Sequence, residues 1–371
     1  MRCPMGQTWQ EELADNVTDV GELSKIFSFS DEELAGMRDV TNFFPMSIPR
    51  YYLGLIDPDD PADPIRKMCI PATGGLDREG LLDQSGEASN TVLPGMQHKY
   101  RQTVLILTSN QCGMYCRYCF RRRLVGLSTD EVAAHLDEMV TYIKSHPEIT
   151  NVLLSGGDAL MNSNEAIERY LAAFCKMPQL DFVRLGSRTP VSFPYRVTED
   201  PELIEMLGRY QQQKQLYVIT HFNHPHEFSK ESFAAIKALQ KAGLIIKNQT
   251  VLLRGVNDDP AVLAEVFRSC TRWGIVQHYV FQCRPVLGVL NRFQVPLVRG
   301  SKIVNAANAQ QNGLGKSADY TMSHVTGKIR ILGSDEDGRM VFQYKQAKDP
   351  KRVGQIFSRS LAPDVCWLED L

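Results

Sequence analysis

From residue 103 onward, short β-branched or apolar runs alternate with amphipathic segments of helical length. That alternation limits the fold more than any other feature. The runs lie at 103–108, 151–154, 182–185, 216–220, 245–252 and 278–281. The stretches 129–146, 163–177, 200–213, 229–242 and 260–273 carry apolar residues at helical spacing. Ser128 with Glu131, and Asn162 with Glu165, predict capped starts for the first two helices. Strand, helix, strand in succession means parallel pairing through right-handed crossovers. Six such strands form either an open doubly wound sheet or a curved partial barrel, and periodicity does not choose between them. In both, chemistry belongs at the carboxyl ends of the strands. Polar motifs stand there: Ser109-Asn110-Gln111-Cys112, Ser155-Gly156-Gly157-Asp158, Gly186-Ser187-Arg188-Thr189-Pro190 and His221-Phe222-Asn223-His224-Pro225-His226.

The flanks read differently. Residues 11–40 look helical, with a start at Ser30-Asp31-Glu32-Glu33, and 57–97 is rich in Pro, Gly and Asp, as irregular approach chain is. Segments 328–332 and 339–344 flank a polar turn and predict a β-hairpin. With 43% hydrophobic and 23% charged residues, disorder and coiled coil are poor readings. No apolar run approaches the ~18 residues of a membrane span. The first eight residues lack an apolar signal core, so the expected location is the cytoplasm. Forty-one basic against 43 acidic residues give no global pull toward nucleic acid.

Cys112, Cys116 and Cys119 form a Cx3CxxC run directly after the first strand, whereas Cys3, Cys69, Cys175, Cys270, Cys283 and Cys366 are scattered as idle thiols are. Nine cysteines, an odd number, without a signal peptide argue against a disulfide framework and make the tight group a metal site. Three thiolates at this spacing hold three corners of a cubane iron–sulfur cluster and leave one iron open. A structural zinc needs a fourth ligand. The nearest histidine, His98, precedes the strand and is expected at its other end. The ranking is cluster above zinc, and zinc above three idle thiols.

Five blocks in order carry a resemblance: 112–126 (CGMYCRYCFRRRLVG), 153–160 (LLSGGDAL), 186–191 (GSRTPV), 220–227 (THFNHPHE) and 248–258 (NQTVLLRGVND). Across roughly residues 95–290 the chain resembles radical S-adenosylmethionine (SAM) enzymes, and more narrowly the lysine 2,3-aminomutase family. The resemblance implies a partial (β/α)6 TIM-like barrel over 98–290. An N-terminal helical and irregular extension (1–97) and a C-terminal α+β extension (291–371) would flank it. It also implies a [4Fe-4S] cluster on Cys112, Cys116 and Cys119 whose open iron binds SAM. An electron from the cluster would break the S–C5′ bond and release methionine and a 5′-deoxyadenosyl radical. Gly156 and Gly157 would give close backbone approach and Asp158 would take the methionine ammonium. Ser187 and Arg188 would meet the ribose or methionine carboxylate, and His221 and Gln249 would complete the pocket.

The same resemblance implies pyridoxal phosphate on Lys316, in Gly313-Leu314-Gly315-Lys316, where Leu314 replaces a family glycine. The family's phosphate-anchoring arginines fall on Lys99 and Thr103, with Arg101 a candidate substitute. Arg121 corresponds to the arginine that holds the substrate α-carboxylate, while Arg122 and Arg123 read as a solvated basic edge or as shields of the cluster. Of two aspartates that grip lysine's distal ammonium in the family, one is Arg284 here and the other falls near Asn308 or Ala309. The sign reversal predicts an acidic or neutral distal group and disfavours free lysine. A C-terminal structural zinc is not expected, since only Cys366 lies beyond Cys283.

The leading expectation is an isomerase that shifts an amino group from C2 to C3 of an amino acid. A second reading keeps the radical and drops pyridoxal phosphate, for isomerisation, oxidation or modification of a carboxylate-bearing substrate. A third, a non-catalytic iron–sulfur sensor or nucleic-acid-binding protein, has only Arg117, Arg121, Arg122 and Arg123 interleaved with aromatics to support it. The expected partners are the substrate and a reductant for the cluster, with no membrane, and family analogy implies a homo-oligomer.

Overall fold

The structure is a computed structural model that describes residues 8–73, 79–369 and 371. Cys3 lies outside them. Among the described residues one continuous sheet runs in chain order. Its strands are β1 (Thr91–Leu93), β2 (Met96–Tyr100), β3 (Thr103–Ser109), β4 (Asn151–Gly156), β5 (Phe182–Gly186) and β6 (Gln215–Thr220). They continue with β7 (Ile245–Leu252), β8 (Val276–Gln282), β9 (Asp319–His324), β10 (Gly327–Ser334), β11 (Met340–Ala347) and β12 (Ile356–Arg359). Strands β3 to β9 pair in parallel, and the flanking strands pair antiparallel. The two edges do not meet. The fold is a partial TIM-like barrel.

All six predicted strands form. A seventh parallel strand, β9, follows helix Leu297–Ala309 and pairs on both sides, with β8 and β10. Its sequence, Asp-Tyr-Thr-Met-Ser-His, has too little β-branched character to announce a strand, and pairing on two sides supplies what local preference lacks. The described residues within 57–97 also hold regular structure that the reading did not expect, helices Pro64–Cys69 and Glu87–Asn90 and the β1–β2 pair. Residues 97 and 98 both lie in β2, so the sheet has no break at that expected boundary.

Two helix starts differ from expectation. The first crossover helix runs Leu136–Ser145, because the Glu131 carboxylate pairs with Arg123 instead of capping. The second, Asn164–Phe174, is capped by Ser163, while the Asn162 amide donates to Thr108 Oγ1 and the Ala159 carbonyl. Helix Pro260–Trp273 forms as read. Asp259 accepts from the Ala261 and Val262 N–H groups, Pro260 opens the first turn, and Gly274 at φ +73° ends it. It buries Leu263, Val266, Phe267 and Cys270 against the sheet, roughly 1.5–3 kcal/mol for each large apolar side chain.

That interface belongs to the main core, between the strands and their crossover helices. A second core packs the N-terminal helices, including Asp31–Phe43 with its Ser30–Glu33 capping box, onto the carboxyl end of the sheet. It includes Met114 and Tyr118 of the cysteine loop. No helix among the described residues is long and apolar enough to cross a membrane.

Candidate functional site

The cysteine loop leaves the end of β3 and is tied down along its length by the N-terminal segment. Asn16 Nδ2 donates to the Gly113 carbonyl at 2.8 Å, and the N–H groups of Tyr115 and Arg117 donate to Ser47 and Met68 at 3.0 and 2.8 Å. The buried Arg117 guanidinium donates to the carbonyls of Phe44 and Pro45. These bonds anchor the loop backbone from outside the thiols, which presenting three thiols in fixed relation requires. Cys112, Cys116 and Cys119 are free and line one cavity of about 560 Å³ at the carboxyl ends of the strands. Burial raises the Cys112 thiol pKa well above its usual value and pushes Cys119 up to about 11. His98 lies elsewhere: its ring bonds to Tyr142 Oη and the Arg101 carbonyl.

Gly156 and Gly157 are required by chain packing. A Cβ on Gly156, at φ +114°, would fall 2.2 Å from the Ser109 carbonyl oxygen, and one on Gly157 would fall 2.2 Å from that of Gln111. The Gly157 and Asp158 N–H groups donate to those same two carbonyls. Gly157→Ala is expected to cost about 1–3 kcal/mol in urea unfolding, because the added methyl forces the two loops apart. Iron uptake should fall with it.

Asp158 lies at the cavity, but its carboxylate is taken by the chain. It accepts from Leu160 N at 3.0 Å, Arg188 N at 2.7 Å and Thr189 N at 3.0 Å. These three bonds let Asp158 fix the neighbouring loop. Arg188 is likewise committed. It pairs with Glu227 and donates to Tyr52 Oη at 2.9 Å, Cys116 Sγ at 2.9 Å and the His221 carbonyl at 3.2 Å. Burial works against its charge, yet Cys116, Tyr118, Tyr52 and Glu227 together hold its pKa above the usual value. Ser187, His221 and Gln249 do line the cavity. Burial, then Arg188, depresses His221 to about 4, so the ring is neutral at pH 7.

Arg121 lines the cavity, with Nε on Glu87 at 2.8 Å and Nη1 on Ser155 Oγ at 2.9 Å. Arg123 pairs with Glu87 and Glu131, and Arg122 stacks 3.6 Å from the Phe44 ring centroid and donates to the Leu287 carbonyl. Neither is a solvated edge. Arg284 enters the same cavity, bonded to Ser85 and Ser323 and stacked 3.9 Å from the Phe120 centroid.

Residues 106–266 match the Radical SAM superfamily model. The chain is 39% identical to a "Putative L-lysine 2,3-aminomutase" of Aquifex aeolicus (strain VF5) over 351 residues, 94% of this chain and 93% of the relative. It is 39% identical to the "L-lysine 2,3-aminomutase" of Clostridium subterminale over 308 residues, 82% of this chain and 73% of that one. It is 36% identical to the "Glutamate 2,3-aminomutase" of Clostridioides difficile (strain 630) over 308 residues, covering 82% and 71%. The chain belongs to the lysine 2,3-aminomutase family. It is a radical SAM enzyme and an isomerase, and membership implies a [4Fe-4S] cluster and SAM.

The site fits a cluster of this family. Three free thiols share one cavity wall, the Arg188 guanidinium stands at Cys116 to offset thiolate charge, and Cys119 and Cys116 stand close enough to Cys112 to add to the rise in its pKa that burial causes. Among the described residues no group of three or more His, Cys, Asp or Glu is arranged for a single metal ion.

Two expectations drawn from the family are corrected by the fold. Lys316 is exposed in the turn before β9 and does not line the cavity, while its neighbour Ser317 donates to the Gln277 carbonyl at the start of β8. Arg101 is exposed at the β2–β3 turn and cannot replace an inward-facing arginine. Sequence reading missed Glu87, Glu227, Arg184 and Lys328. Glu227 lay within the quoted 220–227 block. Lys328 could have been found by the period of two, since Ile329 and Ile331 face the core and Lys328 faces the other way.

Proposed function

We propose that this aminomutase-family enzyme moves an amino group from C2 to C3 of an amino acid whose distal group is acidic or neutral. The supporting observation is the charge of the cavity wall. Six basic side chains line it (Lys99, Arg121, Arg184, Arg188, Arg284 and Lys328) against two carboxylates, Glu87 and Asp158. Both carboxylates are already bound, to Arg121 and Arg123 and to backbone N–H groups. A lysine ammonium would meet no spare acid there, and like charge at ~4 Å costs on the order of a few kcal/mol.

When loaded, the cluster supplies the electron that cleaves SAM. Cys112, Cys116 and Cys119 would hold it, and Arg188 would keep Cys116 oriented and its charge offset. Gly156 and Gly157 let the end of β4 pack directly on the Ser109 and Gln111 carbonyls at the root of the cysteine loop. Ser187, the neutral His221 and Gln249 offer polar contacts to the nucleoside. Arg121 would take the substrate α-carboxylate, its guanidinium angle fixed by Glu87 and Ser155. Arg284 would face the distal end. The enclosing N-terminal helices exclude water from a radical that attacks whatever lies near it.

The test is a panel of amino acids with reconstituted, reduced enzyme, following β-amino acid formation and 5′-deoxyadenosine release. Glutamate or a neutral amino acid is expected to give the highest kcat/KM, and Arg284→Gln to lower it about tenfold or more for an acidic substrate. Lysine as the best substrate would overturn the reading.

A further inference from the structure

The interior of a closed (β/α) barrel is normally filled by branched apolar side chains. At the amino end of this partial barrel the inward positions are long and charged instead. In β7, Gln249 and Val251 line the cavity and alternate with buried residues, and the same period places Lys247 and Ile245 inward below them. Tyr217 stands likewise two residues below the cavity residue Ile219 in β6. Arg330 stands two residues beyond Lys328 in β10, with Gln343 of β11 opposite it. These side chains form a floor. The Lys247 amine lies 5.5 Å from the Tyr217 ring centroid, and Tyr217 meets the cavity residue Phe182 edge to face at 5.2 Å. The Lys345 amine pairs with Asp319 and lies 4.8 Å from the ring centroid of Tyr279, which also lines the cavity. Arg330 Nε donates to Asp319 at 3.1 Å and its Nη1 to Gln343 at 3.2 Å. Neither apolar core includes Phe182, Tyr217 or Tyr279. The outer side of the floor reaches solvent: the side chains of Arg330 and Lys345 are 37% and 34% exposed, and Ile245 and Val276, the register partner of Lys247, are exposed too.

The opposite end is built differently. There the N-terminal helices close the strand ends with a second core that includes Met114 and Tyr118, both on the cavity wall. A path through that end has to part packed apolar side chains. A path through the floor needs only the rotation of long side chains whose ends already reach water. The charge at the floor is one-sided as well. Asp319 is already held by both Arg330 and Lys345, and Lys247 has no salt bridge among the described residues. Burial, then Arg184 and Lys345, lower the Lys247 pKa. We propose that the amino end of the barrel is the entrance to the cavity, and that Lys247, Arg330 and Lys345 make it selective for small carboxylates over cations. Cations around a low-dielectric opening raise the encounter rate of anions by about 10- to 1000-fold. A substrate with an acidic distal group carries net negative charge, so the floor discriminates before Arg121 or Arg284 is reached. That last link rests on the function proposed above; the entrance itself does not.

The experiment uses the full-length chain without iron, in which the Cys112 thiol in the cavity is free to react. The chain is labelled at low ionic strength with anionic sulfonatoethyl methanethiosulfonate or with the cationic trimethylammonioethyl reagent. Peptide mass spectrometry reads the rate at Cys112, with Cys366, which does not line the cavity, as internal reference. Taking the ratio of anionic to cationic rates cancels the ionisation of the thiol. In Lys247→Glu that ratio at Cys112 should fall at least about tenfold relative to wild type, and in Lys247→Gln by less. The ratio at Cys366 should stay as it is. The difference should fade in about 1 M salt, where charges are screened within about 3 Å. Arg38→Glu, an exposed position on helix Asp31–Phe43 at the other end, should leave the Cys112 ratio unchanged. Should Lys247→Glu unfold, Lys247→Gln decides alone: a fall supports the entrance and no change overturns it. An unchanged Cys112 ratio in folded Lys247→Glu, or an equal fall in Arg38→Glu, also overturns it. Lysine as the best substrate in the amino-acid panel would remove the proposed function and leave these labelling rates as they are, so the two failures are separable.

Discussion

Cys116→Ser is expected to reduce iron content after anaerobic reconstitution and to lower 5′-deoxyadenosine formation to the level of protein without iron. Cys112→Ser and Cys119→Ser should do the same. In the proposed site three thiolates would hold three corners of the cluster, and an alcohol does not replace a thiolate as a soft ligand. The loop is held by Asn16, Ser47 and Met68 independently of the thiols, so the variants should stay folded. Loss of activity will then report ligation alone. Loading also has a pH signature. With Cys112 raised by burial and Cys119 raised to about 11, both are thiols at pH 7 and must lose protons to bind iron. Raising the pH from 7 toward 9 at fixed iron and sulfide should increase occupancy. Iron content equal to wild type in any of the three variants would remove that cysteine from the set of ligands.

Arg188→Met should be among the most destabilising single changes outside the apolar core. Glu227 is fully buried and accepts from Arg188, Tyr52 Oη and the N–H groups of Asn223 and His224. Removing the guanidinium leaves that carboxylate charged in a low-dielectric setting. Breaking such a buried pair costs about 3–5 kcal/mol, against roughly 0–1 kcal/mol for an exposed one. Urea denaturation gives the first number. The double variant Arg188→Met with Glu227→Gln should recover a large part of the loss, because the remaining amide carries no charge. A double variant no more stable than Arg188→Met would mean that packing, not charge, dominates at this position.

The short β-branched or apolar runs and the helical periods located all six central strands and the helix Pro260–Trp273, because those signals arise from burial of a local element. The cysteine spacing singled out the candidate cluster site for a similar reason, since the three thiols fall within eight residues of chain. The limits of the reading are as specific. β1 and β2 lie in Pro- and Gly-rich sequence, and β9 is a strand only because β8 and β10 enclose it. Asp158 and Arg188 were placed at the site from their motifs, but each has its polar atoms engaged by partners that no motif records.

By itself the sequence determined a parallel α/β architecture with chemistry at its strand ends and a thiol triad after β3. Only the tertiary structure decided which charges are spent and which are available. Arg188 meets Glu227 from 39 residues away and Arg121 meets Glu87 from 34, while Lys328 enters the cavity from a hairpin beyond the six predicted strands. Side-chain periodicity is a property of neighbouring residues, whereas the pairing of a buried charge depends on which distant elements share its low-dielectric surroundings.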